Sequence, residues 1–350
     1  MKKIFLVFIL IFLAAAVPVA FLSCGSSGSG SGGGFTENNS LPGSVALYVT
    51  DDLGSYKKVS ITINDIQLVH IATGASCDVL ENPVTVDLTE LSTVFQLLDV
   101  TSCPSRNYNR VIIDMDKQTI LTDSGGVSDE CEMNTYKSDQ GSTNALICDP
   151  DCSINMSGAV NVLASETSNV ALDFDLKEFE VSQFGGAFCT VTMKVFPVNS
   201  SDFDKRHEEG SKEGISGVIS NLDTVNKSFT LTAESGTFAV TYTDVSAEGI
   251  DSLLSRAQTD GLTVRVECPV IDLTAQTIAA SVIYVKAEGT VSSLNATDRT
   301  FTLTYQTIKT MSVSYTADGV EGSLSNDSQV EVKLNGFVDS RYVAMEVEVQ

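Results

Sequence analysis

The C-terminal part of the chain repeats itself, and this repeat constrains the fold more than any other feature. The segment GVISNL at 217–222 aligns with GTVSSL at 289–294, and SFTL at 228–231 aligns with TFTL at 300–303, both with an offset of 72 residues. Each copy continues with short runs rich in Val, Thr and Tyr. A repeated unit of this size with strand-like runs is typical of a small β module. The pattern predicts two tandem β-barrel modules, at 215–286 and 287–350.

The preceding part, 43–198, shows alternating apolar and polar residues. In VSITIN at 59–64 every second residue is apolar, which places one face of a strand in a core and the other in water. Only 88–100 has a brief helical period. Many short strands with polar connections predict an antiparallel β-sandwich. The charged, apolar-poor segment 199–214 is predicted to be a linker. The fold class is therefore all-β, a sandwich followed by two small OB-like barrels.

Several segments of the sandwich region resemble a known family. They are GSVALYVTD at 43–51, VSITI at 59–63, VDL at 86–88, YNRVII at 108–113 and LDFD at 172–175. In this order they resemble DUF4382, a domain of exported bacterial and archaeal lipoproteins, and the resemblance implies an exported β domain without an established activity. The two repeats resemble DUF5666, another exported domain with an OB-like barrel pattern, through their opening glycine, their FTL run and their closing strand.

The N-terminus has the pattern of an export signal. Lys2 and Lys3 precede an apolar run over 4–22, and the first acidic residue is Glu37. FLSCG at 21–25 resembles a bacterial lipobox, which implies a signal peptide at 1–23 and lipidation of Cys24. Residues 25–34 contain only Gly and Ser, so 24–42 is predicted to be a flexible tether. The protein is thus expected in the bacterial cell envelope, anchored at the outer membrane or cell surface. An uncleaved N-terminal helix is the alternative anchor.

The charge balance excludes one class of partner. The chain has 21 Lys and Arg against 45 Asp and Glu, a formal net charge of −24. A surface this acidic repels nucleic-acid phosphates. The expected partners are the membrane, through the lipid anchor, and an extracellular protein or polysaccharide.

The eight cysteines are best explained by export. With Cys24 lipidated seven remain, and an exported chain forms disulfides by default. Pairing is predicted between Cys77 and Cys103, and between Cys131 and either Cys148 or Cys152. Cys189 and Cys268 lie in strand-like runs and are predicted to be buried thiols. A zinc site is disfavoured because both histidines are distant in sequence from the cysteine cluster.

Candidate catalytic or metal-binding groups are few. Asp114 and Asp116 share a strand face, and so do Asp173 and Asp175. Such pairs suit Ca²⁺ or acid–base chemistry, but in a chain with 45 acids a solvated strand face is the favoured explanation. No hydrolase or phosphate-binding motif occurs in the sequence, so no enzyme activity and no cofactor other than calcium is predicted. The prediction is a lipid-anchored, non-catalytic binding or structural protein. The alternative is a Ca²⁺-dependent or carbohydrate-binding adhesin.

Overall fold

The computed structural model describes residues 41–52, 56–123, 125–137, 142–186, 189–198, 200–208, 210–306 and 308–349. Throughout these ranges the protein is all-β, as predicted. The predicted signal peptide, Cys24 and nearly all of the tether lie outside the described residues, and the predictions made for them stay predictions. Among the helices that the structure describes, none has the length and apolarity needed to span a bilayer.

The N-terminal part consists of fourteen strands in the described ranges, with two short 3-10 turns at Leu88–Leu91 and Leu176–Glu178. The strands are β1 (Gly43–Asp52), β2 (Lys58–His70), β3 (Ala75–Asp78), β4 (Val84–Asp87), β5 (Val94–Cys103), β6 (Arg106–Met115), β7 (Gln118–Thr122), β8 (Ser128–Lys137), β9 (Thr143–Ala145), β10 (Ile147–Cys148), β11 (Cys152–Val162), β12 (Thr167–Asp175), β13 (Glu180–Ser182) and β14 (Thr190–Val198). The run 88–100, which has a helical period, is one 3-10 turn followed by β5.

These strands form two layers around one core. β1 pairs with β5 and β12, whereas β2 pairs with β3, β4, β6 and β7. Alternate residues of β1, such as Leu47, share a buried cluster with alternate residues of β2, such as Ile61. The sandwich is not purely antiparallel as predicted, because β1 with β12 and β8 with β14 run parallel. These partners are far apart in sequence, so no hairpin dictates their direction.

The disulfides differ in part from the predicted pairs. Cys77 is bonded to Cys103, as the sequence predicts, but Cys131 is bonded to Cys189, and Cys148 to Cys152. The parallel pairing of β8 with β14 places the Cys189 segment beside Cys131, where the backbone N–H of Glu132 donates to the Cys189 carbonyl over 2.9 Å. Cys148 and Cys152 are register partners in the β10–β11 hairpin. Cys268 is a buried free thiol, as predicted.

The charged segment 199–214 contains structure that the sequence analysis did not predict. Helix α1 (Ser200–Glu208) occupies most of it, and Phe203 is buried. The Phe203 ring packs against Tyr48 and Phe95, with centroid distances of 5.2 and 4.5 Å. The chain then enters β15, whose first residues pair in parallel with β5 of the sandwich.

The repeated region contains twelve strands within the described ranges, helix α2 (Ile250–Asp260) and a 3-10 turn at Ala317–Gly319. The strands are β15 (Lys212–Asp223), β16 (Ser228–Ala233), β17 (Gly236–Thr241), β18 (Thr263–Cys268), β19 (Ile271–Asp272), β20 (Thr277–Ala279), β21 (Val282–Asn295), β22 (Thr300–Tyr305), β23 (Lys309–Tyr315), β24 (Val320–Glu321), β25 (Gln329–Val338) and β26 (Arg341–Val349).

The two copies share one strand. The first half of β21 pairs with β18 of the first copy, and its second half pairs with β22 of the second. In the second copy, pairings run from β21 through β22, β23, β26 and β25 and return to β21. The opening glycine of each copy lies very close to the backbone of the neighbouring strand. A Cβ on Gly217 would lie 2.4 Å from the Thr232 carbonyl oxygen, and one on Gly289 would lie 2.1 Å from that of Thr304.

Candidate functional site

The four aspartates proposed as calcium ligands do not form one site in the structure. Asp114 lies on β6 in one layer, whereas Asp173 and Asp175 lie on β12 in the other. The Asp173 carboxylate accepts a hydrogen bond from Arg206 over 2.5 Å, and Asp175 accepts one from Lys194 over 2.7 Å. Asp116 follows β6 and accepts a hydrogen bond from the Asn64 side-chain amide over 3.0 Å. These contacts are those of structural carboxylates.

The described residues contain one group with the spacing of metal ligands, namely Asp129, Cys131 and Cys189. Both cysteines are joined to each other in a disulfide. Because a metal ligand must be a thiolate, these sulfur atoms are unsuited to the role. His70 is half-buried, and its Nδ1 lies 2.7 Å from the Thr73 hydroxyl, which is a local turn contact.

A more informative feature is the outer face of the repeat modules. Along β18, Val264 and Val266 point into the module core, so Arg265 points outward by strand alternation. Along β21, the same alternation places Tyr284 and Lys286 outward, with Tyr284 as the register partner of Arg265. The row continues onto β25 and β26. We call this set the outer polar face, and it consists of Arg265, Tyr284, Lys286, Glu331, Lys333, Glu346 and Glu348.

The sandwich covers this face, and charged pairs join the two parts. Lys286 lies 2.8 Å from a Glu331 carboxylate oxygen and 3.4 Å from one of Glu90, which is on the sandwich. Lys58, also on the sandwich, lies 3.1 Å from Glu331. Burial alone would lower the pKa of Lys286, but the nearby charges of Glu90 and Glu331 outweigh burial and raise it. The face is therefore a desolvated ionic contact in which each lysine stays charged.

Beside these pairs is a cavity of about 590 Å³. We call it the cleft. One wall consists of β4, the turn Leu88–Leu91 and β5, and the other of β15, β16, β18 and β21. Its volume is in the range of small-molecule sites, roughly 300–1,000 Å³. The hydroxyl groups of the lining belong to Thr85, Ser216, Thr232, Ser235, Thr263 and Tyr284. Burial and then the charge of Glu90 raise the pKa of Tyr284 to about 12, so its phenol stays protonated and can donate.

Arg265 is the distinctive residue of the cleft. It is 7% exposed, and its Nε is buried without a hydrogen-bond partner. In the part of the chain that the structure describes, its side chain makes neither an ion pair nor a hydrogen bond. Its position depends on Gly214, because a Cβ there would lie 2.4 Å from Nη2 of Arg265. A buried guanidinium normally pairs with a carboxylate, since an uncompensated buried charge is costly.

Among the described residues, the equivalent residue in the second copy has charged partners, unlike Arg265. Arg265 on β18 and Glu331 on β25 occupy equivalent places in the two copies, and their register partners are Tyr284 and Glu348. Glu331 has Lys58 and Lys286 beside it. The sequence analysis did not identify Arg265. A charged residue between Val264 and Val266 in a strand was the available signal, but the sandwich that buries it is distant in sequence.

The fold and the site together define a class, namely an all-β protein of a sandwich and two repeat modules with a cleft at their contact. Residues 42–186 match the family model described as "Domain of unknown function (DUF4382)". This match confirms the resemblance of the sandwich region to that family. No curated protein matches the chain significantly.

Proposed function

We propose that the chain is an exported lipoprotein, anchored through Cys24, whose β modules act as a non-catalytic binding element of the bacterial cell envelope. The observation that carries the binding role is the cleft, an open cavity whose lining includes five Ser and Thr residues and a buried arginine without a partner among the described residues. Pockets that combine apolar walls with a few fixed polar groups are typical ligand sites.

The cysteine pattern supports the export part of the proposal. Three disulfides occur among the described residues, and only Cys268 is a free thiol there. Disulfides persist in oxidising compartments outside the cytosol. The Lys2, Lys3 and apolar 4–22 pattern, followed by Cys24 and a Gly and Ser tether, supports export with a lipid anchor.

Intact mass of the purified membrane-fraction protein tests the anchor. We expect residues 24–350 plus acyl chains. Alkylation without reductant should modify no thiol in the native protein and one, Cys268, after denaturation. Cys24→Ala should lose the acyl mass and leave the membrane fraction. An unacylated full-length mass that stays with the membrane would establish the uncleaved helix instead.

A glycan array with the full-length protein tests the binding role. Thr232→Trp places a large ring at the cleft from an exposed position, and we expect it to abolish the signals of the wild type. Thr224→Trp is the matched control, because Thr224 is exposed and lies outside the cleft lining. A wild-type chain that binds no glycan, or a Thr232→Trp variant that binds normally, would contradict a binding role for the cleft.

A further inference from the structure

We propose that the cleft binds a sugar acid, a small hydroxylated ligand with one carboxylate, and that Arg265 holds that carboxylate. This inference rests on the proposed binding role of the cleft and names the ligand class. The Ca²⁺ and lipid-anchor predictions play no part in it.

Arg265 has a positive charge for which the described residues supply no partner. The chain has 45 acidic residues against 21 basic ones, so a buried arginine has abundant carboxylates available. The neighbouring Lys286 and Lys333 each contact Glu90, at 3.4 and 3.0 Å. Arg265 contacts none of the described acids, although it is more than nine-tenths buried. A planar guanidinium binds a carboxylate through two parallel hydrogen bonds. An external carboxylate would therefore compensate the charge that the described residues leave unpaired.

The acidic groups around the cleft limit the charge of the ligand that it can bind. Asp87, Glu90 and Glu234 also belong to its lining. Asp87 and Glu90 face Lys286, at 4.0 and 3.4 Å, and Glu90 also contacts Lys333 at 3.0 Å. Glu234 is exposed at the rim. A lining with three acids, and with one cation that has no partner among the described residues, favours a singly charged ligand over a phosphate dianion or a highly charged polymer.

Hydroxyl groups line the cleft next to Arg265. Ser216 is the register partner of Arg265 on β15, and Tyr284 is its partner on β21. The Ser235 hydroxyl is buried and has no hydrogen-bond partner in the described part of the chain. Hydroxyls both donate and accept, as the hydroxyls of a sugar do. The cleft thus offers a carboxylate-binding cation next to groups that pair with a polyol.

Calorimetric titration of the full-length protein in detergent with D-glucuronate tests the proposal, with D-glucose and inorganic phosphate as comparison ligands. We expect glucuronate to bind and both comparison ligands to bind at least about tenfold more weakly. Arg265→Gln should weaken glucuronate binding at least about tenfold, because the charged hydrogen bonds are lost. Ser235→Ala, a smaller change that preserves the fold if Arg265→Gln does not, should weaken it about two- to fivefold.

Arg341→Gln is the matched control, because Arg341 is exposed on β26, away from the cleft, and its loss changes the net charge equally. It should bind glucuronate like the wild type. Absence of glucuronate binding, equal binding of glucose or phosphate, or unchanged binding by a folded Arg265→Gln variant would overturn the proposal. If Arg265→Gln does not fold, unchanged binding by Ser235→Ala would overturn it. If the glycan array gave signals from glycans without a carboxylate, and Thr232→Trp abolished those signals, this inference would be wrong. The binding role of the cleft would still stand.

Discussion

At the scale of single residues, the most informative acid outside the cleft is Glu348. It is 8% exposed on β26, and its Oε1 has no hydrogen-bond partner among the described residues. Burial, followed by the charges of Glu331 and Asp87, raises its pKa from 4.5 to about 7. Between these values the folded protein holds a proton that the unfolded chain releases. The stability that this proton supplies is complete below about pH 4.5 and is lost as the pH rises through 7.

Glu348→Gln removes this titration while keeping the shape of the side chain. We expect the variant to exceed the wild type in free energy of unfolding at pH 8 by about 1 kcal/mol, after allowance for solvent screening, and to equal it near pH 5. Urea unfolding at pH 5, 6, 7 and 8 measures this difference. Glu166→Gln, at an exposed position, should follow the wild type at every pH. A Glu348→Gln variant without a pH-dependent difference would show that this carboxyl is solvated.

Some properties of single residues in this protein could not be predicted from the sequence. The sequence analysis did not consider Arg265, although strand alternation in β18 places it away from the module core. Its burial could not be predicted, because strand β4 and turn Leu88–Leu91, which line the cleft with it, are more than 170 residues away in the chain. The same long-range packing gives Asp173 and Asp175 cationic partners, which their spacing in the sequence could not predict.

At the scale of elements, strand alternation and the repeat predicted most strands but not their directions. The alternating run at 59–64 lies within β2, as its pattern predicts, and the segment 108–113 lies within β6. The parallel pairs depend on contacts between distant segments, and so does the Cys131–Cys189 disulfide that accompanies one of them. The local alternation of apolar and polar residues determines where a strand forms. Its neighbour in the sheet is determined by which distant segments bury its side chains.

The opening glycines explain why the repeat is recognisable, and they allow a test. Gly289→Ala would force a Cβ to within 2.1 Å of the Thr304 carbonyl oxygen, which is backbone and cannot rotate away. We expect a loss of about 2–4 kcal/mol in the free energy of unfolding, measured by urea denaturation. Thr290→Ala, on the next residue, removes only an exposed hydrogen bond with Gln329 and should cost less than about 1 kcal/mol. Equal effects of both changes would show that β21 and β22 can separate without cost.

At the scale of the whole molecule, the described parts are joined in several independent ways. β5 of the sandwich pairs with β15 of the first module, β21 belongs to both modules, and lysines on the outer polar face pair with sandwich carboxylates. One buried cluster includes Tyr48 and Phe95 of the sandwich together with the apolar residues of both modules. Shared strands and a shared core favour unfolding as one unit rather than module by module.

Lys286→Gln tests this coupling because Lys286 links Glu90 of the sandwich to Glu331 of the second module. Its loss leaves the nearly buried Glu331 carboxylate with Lys58 as its remaining lysine partner, and we expect a cost of about 2 kcal/mol in global stability. Hydrogen exchange followed by mass spectrometry should show β2 and β25 losing protection by the same factor. Lys309→Gln, at an exposed lysine, should change neither. If exchange accelerated in β25 while β2 kept its protection, the second module would unfold independently, and the cleft would depend only on the contact between the sandwich and the first module.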